Sequence, residues 1–232
     1  MRYLITGAAR GIGRALLQRL LDDDHQVYAI VRPGTDLDQL PQSQVVSADL
    51  ADPAAIAAAT AELVDTIDHL DGFVHCAGIV RGGLLPEATA DDFQELFAVN
   101  VTAAAEIVKA FLPALRAAAG TVVLVNSTSG LSAGPPVAAY GASKYALRGY
   151  ADALRSEEPM IRVSSIHPSR TGTDMQRELR TLEGAPYRAE DYLRPDTVAS
   201  LIMTALTAPD DAVITELTVR PHHGRRGSGH DS

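Results

Sequence analysis

Apolar and polar positions follow two rhythms along the chain. Short runs such as Val122-Val123-Leu124-Val125 are apolar without interruption, whereas the stretches between them repeat apolar residues every three or four positions. The runs predict strands over residues 2–5, 26–31, 44–48, 72–76, 121–126, 161–166 and 213–218. The helical rhythm covers 13–21, 53–67, 91–118, 139–157 and 196–206. Uninterrupted apolar strands expect cover on both faces, the habit of a parallel sheet. Strict alternation of strand and helix therefore predicts an α/β fold, a single doubly wound parallel Rossmann sheet of about seven strands with helices on both faces. The domain is expected to span residues 1–220, with 221–232 a polar, Gly-rich and disordered tail.

Local signals support these limits. Asp52-Pro53 reads as an N-cap followed by proline at the first helical position. Asp91 and Asp92 stand where a helix N-terminus favours negative charge, and Gly120 is expected to close the long helix before the next strand. Residues 169–193 fall outside the alternation as a long connection of mixed polarity, a length usually kept for function.

Composition narrows the class. The chain has 232 residues and a formal net charge of −9, from 20 Lys+Arg against 29 Asp+Glu. A surplus of acids argues against nucleic acid as a partner, since phosphate affinity rests on surplus base. Cys76 is the single cysteine, so no intramolecular disulfide forms, which suits a reducing, cytoplasmic setting. No uninterrupted apolar run approaches the roughly 18 residues of a membrane helix, and no signal peptide is evident. No metal site is expected; a His pair at residues 222–223 is read as part of the solvated tail.

Candidate chemistry begins at Thr6-Gly7-Ala8-Ala9-Arg10-Gly11-Ile12-Gly13, between the first strand and first helix. Glycines there permit a tight bend and bring backbone amides and the helix N-terminus against a pyrophosphate. The second strand ends Val31-Arg32-Pro33-Gly34, with no acid before Asp36. A carboxylate at that place binds the ribose hydroxyl of NAD, whereas an arginine accommodates the 2′-phosphate of NADP. Arg32, with Arg10 from the glycine loop, therefore points to NADP(H), and NAD remains the alternative. Asp49-Leu50 closes the third strand where an adenine would lie, and Ala77-Gly78 follows the fourth, where a missing side chain admits a cofactor.

The second constellation is Tyr140-Gly141-Ala142-Ser143-Lys144. Tyrosine and lysine at i and i+4 share one helix face. A tyrosine of pKa near 10 needs help to exchange protons at neutral pH, and an ammonium one turn away can stabilise its phenolate. Ser127 ends the fifth strand thirteen residues earlier, where a hydroxyl can meet a substrate carbonyl; Ser129 is its rival. Asn100, in the apolar run Ala98-Val99-Asn100-Val101, asks for a reason of its own.

Taken together these motifs resemble the short-chain dehydrogenase/reductase family, collinearly from about Tyr3 to Pro221. The resemblance implies an oxidoreductase transferring a hydride between NADP(H) and a small carbonyl or secondary alcohol. It makes Tyr140 the general acid/base and Lys144 its partner and a holder of the nicotinamide ribose. Ser127, favoured over Ser129 by the family's spacing, polarises the carbonyl, and Asn100 helps hold a proton-relay water. Pro168, Thr171 and Thr173 correspond to the stretch that meets the nicotinamide. A non-catalytic dinucleotide-binding redox sensor is the reading from another class. The chain departs from the family at His75-Cys76, where Asn-Asn is usual, and at Ser169, where Gly is usual. His75 is expected to be a satisfied core histidine and Cys76 inert. A homodimer or homotetramer is expected, on the resemblance and on the helix that carries Ala103, Ala104, Ala105, Ile107, Val108 and Phe111 apolar nearly all round.

Overall fold

Successive side chains on the central strands point to opposite faces, and both faces find apolar cover. Leu4, Phe73, Val122 and Leu124 pack into one core, while their neighbours Tyr3, Ile5, Val74, Val123 and Val125 pack into another. The computed structural model describes residues 1–41 and 44–222. Seven strands form one parallel sheet in the order β3-β2-β1-β4-β5-β6-β7. They are β1 (Arg2–Thr6), β2 (Gln26–Val31), β3 (Val45–Ser47), β4 (Gly72–His75), β5 (Thr121–Val125), β6 (Arg162–Pro168) and β7 (Glu216–Val219). The helices are α1 (Gly11–Asp22), α2 (Pro53–Val64), α3 (Ala90–Phe97), α4 (Ala103–Ala117), α5 (Ala138–Glu157), α6 (Asp174–Leu182) and α7 (Pro195–Leu206). Helices α2, α4 and α5 cover one face, and α1 with α7 covers the other. The expected doubly wound architecture is the one observed. The strand order reverses between β1 and β4, and it is beside such a switch that ligands enter an open α/β sheet.

Capping follows the sequence in two places. Asp52 Oδ1 accepts from the Ala54 amide at 2.9 Å, with Pro53 at the first position of α2. Thr89 and Asp92 close a reciprocal capping box on α3.

Several expectations need correction. The segment 169–193 is not a bare connection, because α6 lies within it, started by the Thr173 hydroxyl, which accepts from the Gln176 amide. Mixed polarity hid a short helix that buries few of its residues. The predicted last strand, 213–218, shifts to Glu216–Val219. The long helix 91–118 is two α-helices joined by a π-helical turn over Ala98–Thr102. At its end the left-handed residue is Ala119 (φ 47°), not Gly120. Gly120 is required for a different reason, since a Cβ there would run into the Leu70 carbonyl. The span Ala90–Ala118 is in fact long and apolar enough, by length and composition, to cross a bilayer, contrary to the reading from uninterrupted runs. Here it is a core helix: Ala103, Ala104, Ile107, Val108 and Phe111 are all buried within one chain, against the sheet and its helical neighbours. Those residues therefore carry no argument for a second subunit. The expected disordered tail falls, beyond His222, outside the described residues.

Candidate active site

Two connected clefts, each of about 300 Å³, open at the carboxyl ends of the central strands. Ile12, Cys76, Ala77, Gly78, Thr173 and Met175 line both, so one ligand can run from one into the other.

The first cleft is built on the β1–α1 turn. Gly7 holds a positive φ of 70°, and a Cβ on it would come within 2.8 Å of the Ala77 amide nitrogen. A Cβ on Gly13 would collide with the Gly7 carbonyl. The loop thus closes to backbone-on-backbone distance and leaves its amides beside the α1 N-terminus, whose partial positive charge suits an anion. Every residue expected to hold the dinucleotide's adenosine and phosphate portion borders this cleft: Gly7, Arg10, Gly11, Ile12, Gly13, Arg32, Asp49, Leu50, Ala77 and Gly78. Thr35 joins them, unnoticed in the sequence because it lies beyond the end of β2. Arg32 is exposed at the cleft edge. Arg10 is engaged elsewhere, with Asp174 Oδ2 at 3.6 Å and Glu178 Oε1 at 4.0 Å, both on α6.

The second cleft contains Ser127, Tyr140, Lys144, Pro168, Thr171 and Thr173. Ser127 follows β5, and its Oγ accepts from the Ser129 amide at 3.0 Å. Ser129 also borders this cleft, but Ser127 is the serine whose side chain acts on the Tyr140 phenol. Burial pushes the Tyr140 phenol above its ordinary pKa, and the Ser127 side chain opposes that rise. Lys144 lies 5.9 Å from the centre of the Tyr140 ring and donates to the Val125 carbonyl at 3.0 Å. Burial brings its ammonium down to about 8.

Asn100 borders neither cleft. It is fully buried in the π-helical turn, donating to the Ile79 carbonyl at 3.1 Å and to Ser143 Oγ at 3.0 Å. Its Oδ1 accepts from the Ile79 amide at 2.9 Å. Ser143 in turn donates to the Tyr140 carbonyl at 2.8 Å. Asn100 thus braces the loop after β4 against α5, with both amide hydrogens committed. Ser143 was missed although it sits inside the Tyr-Lys motif; its place three residues past Tyr140 was the available signal.

The departures at 75–76 are explained by packing. His75 is fully buried between Thr6 Oγ1 at 2.9 Å and the Val99 carbonyl at 3.3 Å. Burial first, and then the Lys144 charge, bring it down to about 3, so it stays neutral. Cys76 borders both clefts, but burial pushes its thiol up to about 12, away from the reactive thiolate.

Comparison with known proteins decides the kinship. The family model described as short chain dehydrogenase matches residues 2–184. This chain belongs to the short-chain dehydrogenase family. An uncharacterized oxidoreductase of Staphylococcus epidermidis is 26% identical over 226 residues, covering 94% of this chain and 96% of that one. Dehydrogenase/reductase SDR family member 7B of Mus musculus is 30% identical over 81% of this chain and 63% of its own length. Among solved structures, the alcohol dehydrogenase of the archaeon Thermococcus sibiricus, complexed with 5-hydroxy-NADP, superposes with a TM-score of 0.84 at 24% identity. That match covers 97% of this chain and 98% of that one. As a short-chain dehydrogenase the protein is an oxidoreductase of a family that binds nicotinamide dinucleotides.

Proposed function

We propose that this short-chain dehydrogenase is an NADP(H)-dependent oxidoreductase that interconverts a small carbonyl compound and its secondary alcohol, with Tyr140 as general acid/base. The observation that carries the reading is the continuity of the two clefts, one walled by the glycine loop and the other lined by Ser127 and Tyr140 beside Lys144.

The residues present fit a dinucleotide. The glycine loop leaves room where side chains would otherwise stand, and an exposed Arg32 that makes no ion pair among the described residues suits a 2′-phosphate. Bound there, the cofactor supplies or takes up the reducing equivalents. Gly7, Gly11, Ile12 and Gly13 would hold its phosphates, Asp49 and Leu50 its adenine, and Ala77, Gly78, Pro168, Thr171 and Thr173 its nicotinamide end. The chain's own work is proton chemistry. Ser127 donates a hydrogen bond to the substrate oxygen and orients the carbonyl, and Tyr140 passes its proton to that oxygen during reduction. The reverse reaction returns the proton to the phenolate. Lys144, held by the Val125 carbonyl, favours the phenolate by its charge and is placed to bind the nicotinamide ribose. Asn100 contributes by fixing the loop after β4 to the Tyr140 backbone through Ser143.

One observation favours an NAD-preferring variant of this reading: Arg10 is already paired with α6 acids and must leave them to meet a phosphate. A homodimer or homotetramer in the cytoplasm completes the proposal, supported by family likeness. A light-scattering mass near 24.5 kDa would overturn the assembly. The function is tested by screening carbonyl compounds with NADPH, followed at the nicotinamide absorbance, with wild type and Tyr140→Phe side by side. Turnover by the wild type that Tyr140→Phe lacks is expected; no turnover with any compound and either cofactor would favour a non-catalytic sensor.

A further inference from the structure

We propose that His167 is a positioning residue for Ser127, acting through the Ser127 main-chain carbonyl, with Glu216 and Arg148 closing off its other side. The inference rests on the acid–base reading of Tyr140 and Ser127 and adds to it a residue that the sequence motifs do not include.

His167 stands in β6 immediately before Pro168 and is fully buried. Its Nδ1 lies 3.1 Å from the Ser127 carbonyl oxygen. A carbonyl can only accept, so Nδ1 carries the proton and donates. In the neutral ring Nε2 is then a bare acceptor, and it has no hydrogen-bond partner among the described residues. The group facing it is Glu216 Oε1 of β7, at 3.7 Å. That carboxylate is already held by Arg148, from Nε at 2.7 Å and Nη2 at 3.3 Å. Arg148 lies one helical turn beyond Lys144 on α5. The opposite tautomer would set two lone pairs against each other at the Ser127 carbonyl, so that carbonyl selects a protonated Nδ1 and one ring orientation.

Ser127 needs such support because it follows the end of β5, beyond the strand's regular ladder. Its amide donates to Asn126 Oδ1 at 2.8 Å, and its carbonyl accepts from Gly130 at 2.9 Å as well as from His167. The local bonds to Asn126 and Gly130 fold the turn upon itself. The Asn126 amide, donating to the Ile166 carbonyl at 2.8 Å, ends the ladder with β6, and the bond from His167 is the tie that Ser127 itself makes to that strand. It therefore fixes where the turn, and with it the Ser127 hydroxyl, stands relative to Tyr140. A buried imidazole with one nitrogen unpaired is costly as packing material alone.

The experiment uses steady-state kinetics of the full chain with NADPH and an accepted carbonyl substrate, for His167→Leu, His167→Asn, His167→Gln and Tyr140→Phe. Leu removes the donor at similar bulk, the Asn amide nitrogen occupies the place of Nδ1, and the Gln amide corresponds to Nε2. Misplacement of a catalytic group costs on the order of 10–100-fold, so His167→Leu is expected to lower kcat by that factor while the Kd for NADPH stays within about twofold. His167→Asn recovers most of the rate and His167→Gln does not. A pH profile separates positioning from packing. The groups facing the site are Glu216 from β7, Arg148 and Lys144 from α5, and the Ser127 hydroxyl. Ser127 opposes the burial that raises the Tyr140 pKa. A loosened Ser127 therefore moves the alkaline limb of the reduction profile to higher pH in His167→Leu, and not in His167→Asn.

If His167→Leu does not fold, the Asn and Gln variants decide alone: Asn faster than Gln supports the role, and equal rates overturn it. A wild-type kcat for His167→Leu, or an unmoved alkaline limb in a slow one, also overturns it. Should Tyr140→Phe be as fast as wild type, the acid–base reading itself falls and takes this role with it. A dead Tyr140→Phe beside a wild-type His167→Leu removes the positioning role alone.

Discussion

Removing the two arginines at the phosphate end of the first cleft, singly and together, separates NADPH from NADH by amounts the structure sets in advance. Arg32 makes no ion pair among the described residues, so no existing contact must break when it meets a 2′-phosphate. A hydrogen bond to a charged group contributes roughly 1.5–3 kcal/mol, and at an exposed edge the lower end applies, about tenfold in affinity. Arg10 starts from a handicap, since it must leave Asp174 and Glu178, at 3.6 and 4.0 Å. Exposed pairs of that kind are worth ~0.2–1 kcal/mol, which reduces its net contribution to about fivefold. The expected outcome is a kcat/KM for NADPH over NADH of on the order of tenfold or more. Arg32→Ala cuts that ratio by about tenfold and Arg10→Ala by about fivefold, both through the NADPH value. Neutralising α6 with Asp174→Asn and Glu178→Gln should enlarge the Arg10 effect, because it removes the competitor. Val31→Asp with Arg32→Ala adds repulsion and should invert the preference. The net charge of −9 opposes NADPH mildly, but distant charges are screened beyond about 8 Å at physiological salt. Paired steady-state measurements on the same enzyme stocks provide the ratio. An unchanged ratio in Arg32→Ala would refute the argument, showing that its guanidinium points to solvent with cofactor bound.

Other outcomes follow from the same geometry. Tyr140→Phe should lower kcat by ~10²–10⁴-fold with NADPH still bound, as read by single-wavelength kinetics and a fluorescence titration; more than about a tenth of the wild-type rate would remove the mechanism. Lys144→Met should abolish turnover and yet raise the melting temperature of the cofactor-free protein. Burial lowers the folded lysine from 10.5 to about 8, so the folded state binds its proton less tightly than the unfolded one. The cost is on the order of 1–3 kcal/mol below pH 8 and fades as pH rises toward 10.5. Calorimetry at pH 7 and pH 10 should show the variant's advantage shrinking, and an advantage that grows with pH would contradict the sign. Asp52→Ala removes the α2 cap and should cost about 1 kcal/mol, or ~2–4 °C in Tm, without altering kcat; no change in Tm would show the cap bond of 2.9 Å to be idle.

The sheet was legible because its signal is local and repeated: each apolar strand states its own burial, and alternation with helices leaves one architecture. The site motifs were legible for the same reason, since Tyr140 and Lys144 share a helix turn and the glycines share a loop. What escaped depends on distance in the chain. His167 and Ser127 are forty residues apart, and nothing near His167 announces that its ring meets a carbonyl in the turn after another strand. Asn100 asked for a reason, but the reason, Ser143, lies 43 residues on. Arg10 was read toward a phosphate because its acidic partners sit on α6, in the stretch whose mixed polarity concealed a helix.

The π-helical turn at Ala98–Thr102 has a consequence for how the long rod can change. A regular helix advances about 100° per residue, and a π turn lodges one extra residue in a single revolution. The two halves of the rod are therefore out of phase by one residue, α3 facing α5 while α4 faces α2 and the sheet. Summed over its length, two offset stripes look like a cylinder greasy on every side, although less than half of its apolar window is buried. Shortening the turn by one residue would restore an even spiral, but only by swinging one half away from its neighbour and carrying Asn100 with it. Insertions and deletions should thus be tolerated far less in these five residues than conservative replacements are.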